Sequence, residues 1–205
     1  MNTSTILVVA ATARELAPAN GWLTLPCGVG PVEAAASTAA AIAAHRPSAI
    51  LHVGIAGARR GSKLTPPAIV FGQEARYCDL NPDSAWAPST VPASPMLLAA
   101  LQSAFPAIAV RAIGTTARVG GTSARSVGTE AGIDVEAMEG FGVLRAAQLA
   151  GVPAIEVRAI SNDIDEADRA RWQFDEAFAA ITAITPMLVD AIRESLQHSS
   201  RERHA

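Results

Sequence analysis

Polar side chains and glycines follow four short apolar segments of this sequence, at the points where the segments end. A carboxylate there can take a proton from water or accept hydrogen bonds from hydroxyl groups, and a side-chain amide can donate to ring nitrogens or carbonyls. Each feature alone is more commonly a turn, a helix cap or a solvated residue. In α/β sheets, ligands bind beyond the carboxyl ends of strands, so together they predict one site. The polar and glycine residues that follow the apolar segments are residues 10–15, 54–57, 114–116 and 161–165.

The apolar pattern predicts strands that alternate with helices. The strands are short β-branched segments bounded by glycine or proline, and the helices are longer and rich in alanine. This alternation implies right-handed βαβ units around a parallel or mixed sheet, which is an α/β fold. The predicted strands cover residues 6–9, 49–53, 68–71, 107–113 and 154–160; the predicted helices cover residues 31–45, 95–103, 139–150 and 175–197, the last with Pro186 as a point where it can kink.

Length and composition indicate one globular domain. The chain has 205 residues, of which 50% are hydrophobic and 17% are charged, and this balance excludes a disordered chain. A chain of this length buries a substantial core. We expect a single domain over residues 1–197 and a polar, disordered tail over residues 198–205.

Charge and residue usage also exclude several partners. A net charge of −3 and 4% aromatic residues argue against nucleic acid as a partner. No apolar run reaches about 18 residues, so no membrane span is predicted. The amino terminus lacks the basic region of a signal peptide, and we therefore expect a cytoplasmic protein. Cys27, Cys78 and four scattered histidines give no metal-site spacing, and we predict neither a metal nor a cofactor.

Four motifs in a fixed order resemble the purine nucleoside phosphorylase and nucleosidase family. They are GVGPVEAA at 28–35, HVGIAG at 52–57, VEAMEG at 135–140 and VRAISND at 157–163. The resemblance extends over about residues 5–197, nearly the whole chain, and the third and fourth motifs are its most specific parts. It implies a three-layer α/β/α sandwich around a central mixed, partly barrel-like sheet. It also implies a small-molecule nucleoside as substrate and a homo-oligomer.

The family resemblance assigns roles to several residues. Cleavage of an N-ribosidic bond builds positive charge on the ribose and negative charge on the departing base. By resemblance, Glu15 activates water, Glu139 accepts hydrogen bonds from the ribose 2′ and 3′ hydroxyls, and Met138 packs on the sugar. Phe174, near Trp172, either covers the ribose or base or packs at a helix start. The further candidates for substrate binding are Gly54, Ile55, Ala56, Gly57 and Thr115.

Asn162 favours a 6-oxopurine such as hypoxanthine. The family's nucleosidases for 6-aminopurines carry aspartate at the matching position, whereas an asparagine amide can donate to both N7 and O6. A buried mismatch would leave a polar group unpaired, which gives the choice of residue its selectivity. Asparagine cannot deliver a full proton to N7, so Asp163 or Asp165 is a reserve candidate for that step.

The second motif favours water over phosphate as the nucleophile. By resemblance to the phosphorylases, His52 stands where an arginine is expected and Ile55 where a serine or threonine is expected, and Ile55 cannot bind an oxyanion. The backbone amides of residues 54–57 can still bind an anion, which leaves phosphorolysis as an alternative.

The fourth motif, followed by Arg169 and Arg171, is similar to the branch of the family that hydrolyses futalosine in the route to menaquinone. That substrate carries a carboxylate on its 5′ side, for which Arg118, Arg169 and Arg171 are candidate partners. The alternatives are a phosphorylase, a methylthioadenosine/S-adenosylhomocysteine nucleosidase and a nucleoside-binding module without activity; the presence of both Glu15 and Glu139 argues against the last. The segment 77–95 is either a lid or a surface excursion.

Overall fold

The computed structural model describes residues 5–80, 87–119 and 133–202. Within these ranges the chain forms an α/β fold, as predicted. The strands are β1 (Ile6–Ala10), β2 (Leu23–Pro26), β3 (Ala49–Ala58), β4 (Ile69–Tyr77), β5 (Thr90–Pro92), β6 (Ala109–Thr115), β7 (Val135–Ala137) and β8 (Ala154–Asp163). The helices are α1 (Pro31–His45), α2 (Pro95–Ala104), α3 (Gly140–Leu149) and α4 (Phe174–Glu202), with 3₁₀ turns at Ala13–Glu15 and Arg169–Arg171.

The strands form one mixed sheet that closes on itself. Its order is β2-β1-β3-β7-β6-β4-β5, and β8 pairs with both β3 and β4. The ring β3-β7-β6-β4-β8 is therefore a small barrel, in which β3 and β8 run parallel and β4 and β8 run antiparallel. The predicted central mixed, partly barrel-like sheet is confirmed.

Helices cover both faces of the sheet because its strands are apolar on both sides. In β1, Ile6 and Val8 belong to the cluster that includes Leu97 of α2 and Ile181 of α4. The alternate β1 residues, Leu7 and Val9, belong to the cluster of α1 and α3. Since successive strand residues point to opposite faces, this short apolar segment joins two helical layers. The three-layer arrangement follows.

The start of α1 shows how local sequence sets a helix boundary. Gly30 adopts φ 94°, a conformation that favours glycine, and Pro31 is the first helical residue. Glu33 lies in the first turn, where the helix dipole favours an acid. The helix ends at His45, before Arg46 in the left-handed region. The predicted bounds 31–45 are confirmed.

Several strands extend beyond their predicted ends. β3 was expected to end at Gly54 but continues to Ala58, and β8 continues through Asn162 to Asp163. Residues 135–137, for which no strand was predicted, form β7, and α3 begins at Gly140, one residue after its predicted start. β2 and β5 were not predicted at all. For β3, β7 and β8, hydrogen bonding around the barrel holds glycine and polar residues in strand conformation, although their local propensity is poor. β2 and β5 lie outside the barrel, where they pair with β1 and β4.

The carboxyl-terminal helix corrects the expected tail. α4 continues past Pro186 and ends at Glu202, so residues 198–202 are helical rather than disordered. Residues 203–205 of the expected tail lie outside the described residues. Among the helices that the structure describes, none is both long and apolar enough to cross a membrane.

We expect Gly142→Ala to destabilise the chain. A Cβ at Gly142 in α3 would collide with the carbonyl oxygen of Pro31 in α1 and lie 3.2 Å from the nitrogen of Ala35. Alanine in a helix normally stabilises by up to about 1 kcal/mol relative to glycine. Here the overlap should make alanine destabilising instead, and urea unfolding should show a loss of about 1–3 kcal/mol in the free energy of unfolding.

Ser103→Ala, on the exposed face of α2, is the matched control and should change the free energy of unfolding by less than about 0.5 kcal/mol. A Gly142→Ala variant as stable as the original chain would contradict the close packing of α1 on α3.

Candidate active site

A cavity of about 420 Å³ opens beside the barrel, and most of the predicted site residues line it. The lining residues that the sequence predicted are Glu15, Ile55, Ala56, Gly57, Met138, Glu139, Asn162 and Phe174. Gly54 and Thr115 lie behind the cavity wall instead. The Thr115 hydroxyl accepts a hydrogen bond of 2.8 Å from the Phe141 backbone nitrogen and so helps to fix the start of α3.

Glu15 is held rigidly at the end of β1. The 3₁₀ turn at Ala13–Glu15 returns its side chain to Thr12, whose backbone nitrogen and Oγ1 both donate to Oε2, at 2.8 and 2.9 Å. The backbone nitrogen of Ile55 donates to Oε1 at 3.2 Å. Three donors therefore fix the orientation of a buried carboxylate that borders the cavity.

Glu139 is fixed by groups from two other elements. Gly30, just before α1, donates its backbone nitrogen to Oε1 at 3.1 Å. Arg158 of β8 donates from Nη2 to Oε2 at 3.3 Å. The carboxylate lies at the start of α3, is 4% exposed and borders the same cavity as Glu15.

Arg158 is the main site residue that the sequence reasoning did not assign. Its side chain is 1% exposed, and its guanidinium donates to Glu156, Glu139, the Ile55 carbonyl and His52. A cation therefore occupies the region where the sequence predicted none. Arg158 lies in the VRAISND motif, four residues before Asn162, and its burial in an apolar strand was the available signal.

The hydrogen bonds of His52 fix its tautomer. Nδ1 lies 3.0 Å from the carbonyl oxygen of Val9, which can only accept, so Nδ1 carries the proton. Nε2 lies 2.6 Å from Arg158 Nη2, which can only donate, so Nε2 is unprotonated. Burial, together with the Arg158 charge, holds the pKa of His52 well below its usual range, which agrees with a neutral ring.

Asn162 reaches the cavity through a β-bulge. The pairing of β3 with β8 shifts between Ala56 and Gly57, leaving Ser161 unpaired, and Ser161 and Asn162 both border the cavity. Ser161 Oγ donates to Asn162 Oδ1 at 2.7 Å, and Asn162 Nδ2 donates to the Asp163 carbonyl at 2.9 Å. This leaves one amide N–H of Asn162 available to a ligand.

The contacts of the Asp163 carboxylate do not suit it to proton transfer. Its carboxylate accepts hydrogen bonds from the backbone nitrogen of Asp165 and from Arg60, the latter at 2.7 Å. Burial opposes ionisation, but these two donors lower the pKa of Asp163 below its ordinary value. Neither Asp163 nor Asp165 borders the cavity, which argues against the reserve role considered for them.

The mouth of the cavity is aromatic and carries one arginine. Phe174 stacks between Trp172 and Phe178, with centroid distances of 5.3 and 6.2 Å. Arg169 lies 5.7 Å from the Trp172 ring centroid and has no carboxylate partner among the residues that the structure describes. Of the three arginines considered for an anionic substituent, Arg169 borders the cavity, whereas Arg118 and Arg171 do not.

The described residues support neither a cysteine nucleophile nor a metal ion in this site. Burial raises the pKa of the Cys27 thiol to about 12, so it does not supply a thiolate nucleophile. Within residues 5–80, 87–119 and 133–202, no three histidine, cysteine or acidic side chains are grouped as a metal site would require. Residues 81–86, the centre of the segment considered as a lid, lie outside the described residues.

Comparison with known proteins identifies the family. Residues 23–194 match the family described as the phosphorylase superfamily. The chain belongs to the phosphorylase superfamily. Within this superfamily it is 34% identical to a futalosine hydrolase of Streptomyces coelicolor, over 87% of the chain and 83% of that protein. It is 30% identical to a futalosine hydrolase of Thermus thermophilus, over 78% of each chain. The predicted family is confirmed.

A solved superfamily structure confirms the fold. The methylthioadenosine/S-adenosylhomocysteine nucleosidase of Helicobacter pylori superimposes with a TM-score of 0.81, over 95% of this chain and all of the other. At 16% identity, this similarity concerns the architecture alone.

We expect the neutrality of His52 to appear in the pH dependence of stability. In the unfolded chain His52 titrates near 6.5, whereas in the folded chain its pKa is much lower. Below pH 6.5 the unfolded chain therefore binds a proton that the folded chain does not, so the free energy of unfolding falls as pH falls. Between pH 7 and 5 the free energy of unfolding should fall by about 2 kcal/mol more in the original chain than in His52→Gln. Urea titrations at each pH measure this difference.

His45→Gln, which changes an exposed histidine at the end of α1, is the control and should keep the full fall. Equal falls in the original chain and in His52→Gln would contradict a neutral, buried His52.

Proposed function

We propose that this chain hydrolyses the N-ribosidic bond of futalosine and releases hypoxanthine and dehypoxanthine futalosine. The observation that carries the proposal is one cavity bordered by two fixed carboxylates, Glu15 and Glu139, and by the amide of Asn162. The two futalosine hydrolases among its relatives support this substrate.

Each polar group has a role that its surroundings support. Glu15, held by Thr12 and Ile55, is the general base that takes a proton from water as the water attacks C1′ of the ribose. Glu139 accepts the ribose hydroxyls, and its negative charge favours the oxocarbenium-like transition state. Met138 borders the same part of the cavity and packs on the sugar.

Asn162 recognises the departing base. Its Oδ1 is occupied by Ser161 and one N–H by the Asp163 carbonyl, so the remaining N–H donates to the purine. A donor at this position stabilises negative charge on hypoxanthine as the bond breaks, and it suits N7 or O6. The fixed amide leaves one donor instead of the two predicted from the residue type.

Hydrolysis is favoured over phosphorolysis because the donors near the cavity are already occupied. The backbone nitrogen of Ile55 donates to Glu15, and the Arg158 guanidinium donates to two carboxylates, a carbonyl and a histidine. A phosphate dianion would meet the carboxylates of Glu15 and Glu139, and Arg158, the cation beside Glu139, is already engaged by its own partners. Water carries no charge and avoids this repulsion.

The cavity mouth supports an acidic, partly apolar 5′ substituent. Trp172, Phe174 and Phe178 offer aromatic surface, and Arg169 offers a cation without a carboxylate partner in the described part of the chain. An arginine guanidinium binds a carboxylate with paired hydrogen bonds. We assign this end of the cavity to the carboxylate-bearing side of futalosine.

A methylthioadenosine/S-adenosylhomocysteine nucleosidase is the second candidate, since a solved nucleosidase of that specificity shares the fold. The asparagine at 162 argues against a 6-aminopurine. The role in menaquinone biosynthesis, the cytoplasmic location and the homo-oligomer stay predictions. Exposed Val29 and Val32, near the start of α1, offer apolar surface for self-association.

We expect the purified chain to release hypoxanthine from futalosine in phosphate-free buffer, measured by chromatography. Glu15→Gln keeps the size of the side chain but cannot take a proton, so it should lower kcat by about 10²- to 10⁴-fold while futalosine still binds. Base release from inosine that requires added phosphate would identify a phosphorylase instead. Adenine released from methylthioadenosine would support the second candidate.

We expect Asn162→Asp to change base preference. A carboxylate at 162 would place an acceptor against O6, so kcat/KM for futalosine should fall by about 10- to 100-fold. The loss should be smaller for a 6-aminopurine nucleoside, and competition between the two substrates measures the change in ratio. Asp165→Asn, an exposed change outside the cavity, is the control. Equal losses for both bases would contradict base recognition by Asn162.

A further inference from the structure

Glu156 is a buried acid for which the proposed reaction has no direct use. It lies in β8 two residues before Arg158, on the same face of the strand, is fully buried and does not border the cavity. Its Oε1 accepts a 2.7 Å hydrogen bond from Arg158 Nε, whereas its Oε2 has no partner among the described residues. A buried polar oxygen without a partner is costly, so its presence needs an explanation.

The fold makes a specific space for this carboxylate. Oε2 lies against Gly140, the first residue of α3, and a Cβ at that position would collide with the Glu156 carboxylate. The glycine directly after Glu139 therefore admits Glu156 beneath the helix start. Burial raises the pKa of Glu156, and the adjacent Arg158 opposes the rise.

The contact at Nε determines how Arg158 is oriented. A guanidinium is planar with its donors in a fixed fork, so each nitrogen that has its own acceptor restricts the plane further, and Nε lies nearest the pivot with the side chain. With Nε on Glu156, Nη2 faces Glu139 and His52, and Nη1 faces the Ile55 carbonyl. Nη1 and Glu15 Oε1 both lie against Gly54, where a Cβ would collide with the first and approach the second to 2.9 Å.

We propose that Glu156 is a positioning residue: it fixes the plane of the Arg158 guanidinium, and thereby the placement of Glu139 and of the water that Glu15 activates. This inference rests on the proposed function. Nε has no other acceptor in the described part of the chain, so without Glu156 the guanidinium plane is held by its Nη contacts alone. The role needs a hydrogen-bond acceptor, which a carboxylate and a carboxamide oxygen both provide.

The test compares Glu156→Leu with Glu156→Gln. Leucine has a similar volume but no acceptor, so Glu156→Leu should lower kcat by about tenfold or more, because small misplacements of catalytic groups are costly. KM should stay within about threefold, since the Gly30 nitrogen still holds Glu139 when Glu156 is replaced. Glutamine keeps the acceptor for Nε, and Glu156→Gln should retain about a third or more of kcat.

Val157→Ala is the matched control for stability. Val157 is buried in the same strand, belongs to the cluster of α2 and α4, and points away from Arg158. It should lower Tm while kcat, measured well below Tm, stays within about twofold. If Glu156→Leu does not fold, Glu156→Asp, which draws the acceptor back by one methylene, should lower kcat about threefold or more.

Three results would overturn the positioning role. The first is an unchanged kcat in Glu156→Leu, or in Glu156→Asp where that variant replaces it. The second is a fall in kcat in Glu156→Gln as large as in Glu156→Leu, and the third is an equally large fall in Val157→Ala at the same Tm. The original chain is assayed alongside with futalosine, inosine and methylthioadenosine. Cleavage of a nucleoside other than futalosine, with the Glu156→Leu loss intact, overturns the proposed substrate alone. Cleavage of none overturns both.

Discussion

The guanidinium of Arg158 is the interaction on which the site depends. It is fully buried and donates to acceptors from β3, α3 and its own strand, so a single planar cation joins elements that are far apart in sequence. Three carboxylates, of Glu15, Glu139 and Glu156, lie close enough to influence its charge. Without this cation, so many acids around one cavity would repel each other. The barrel supplies the rigidity that such an arrangement needs.

One wall of the cavity is built on strands rather than on loops, which gives it precision. Gly54–Gly57 and Ser161–Asn162 are strand residues whose backbone is hydrogen-bonded around the barrel. A single bulge turns two consecutive side chains, Ser161 and Asn162, toward the cavity. Because Ser161 holds Oδ1 of the amide and the Asp163 carbonyl holds one N–H, the remaining donor of Asn162 is oriented by the protein itself. A donor preorganised in this way needs no rearrangement when charge develops on a ligand.

Much of the architecture was predictable from the sequence, and the residues that were missed share a cause. The α1 bounds and the alternation of strands and helices follow from local signals such as Pro31, alanine content and β-branched segments. The extension of β3 past Gly54 and the strand at residues 135–137 depend on partners distant in sequence, which local propensity does not report. Motifs singled out Glu15, Glu139 and Asn162, which the structure places around one cavity. Arg158 was missed because its role comes from three-dimensional neighbours, and the motif alone does not reveal them.

The backbone contact between Gly142 and Pro31 has a mechanical consequence for the Glu139 carboxylate. Gly30, which donates to Glu139, precedes Pro31 directly, and Glu139 precedes Gly142 by three positions. The tight packing at Gly142 therefore limits how far α1 can lie from α3, and with it the distance between the Gly30 nitrogen and the Glu139 carboxylate. A wider side chain at 142 would separate the two helix starts and lengthen that hydrogen bond, although it would touch no ligand. The placement of the Glu139 carboxylate is thus adjustable from a contact between two helices, at Gly142 and Pro31, that does not itself border the cavity.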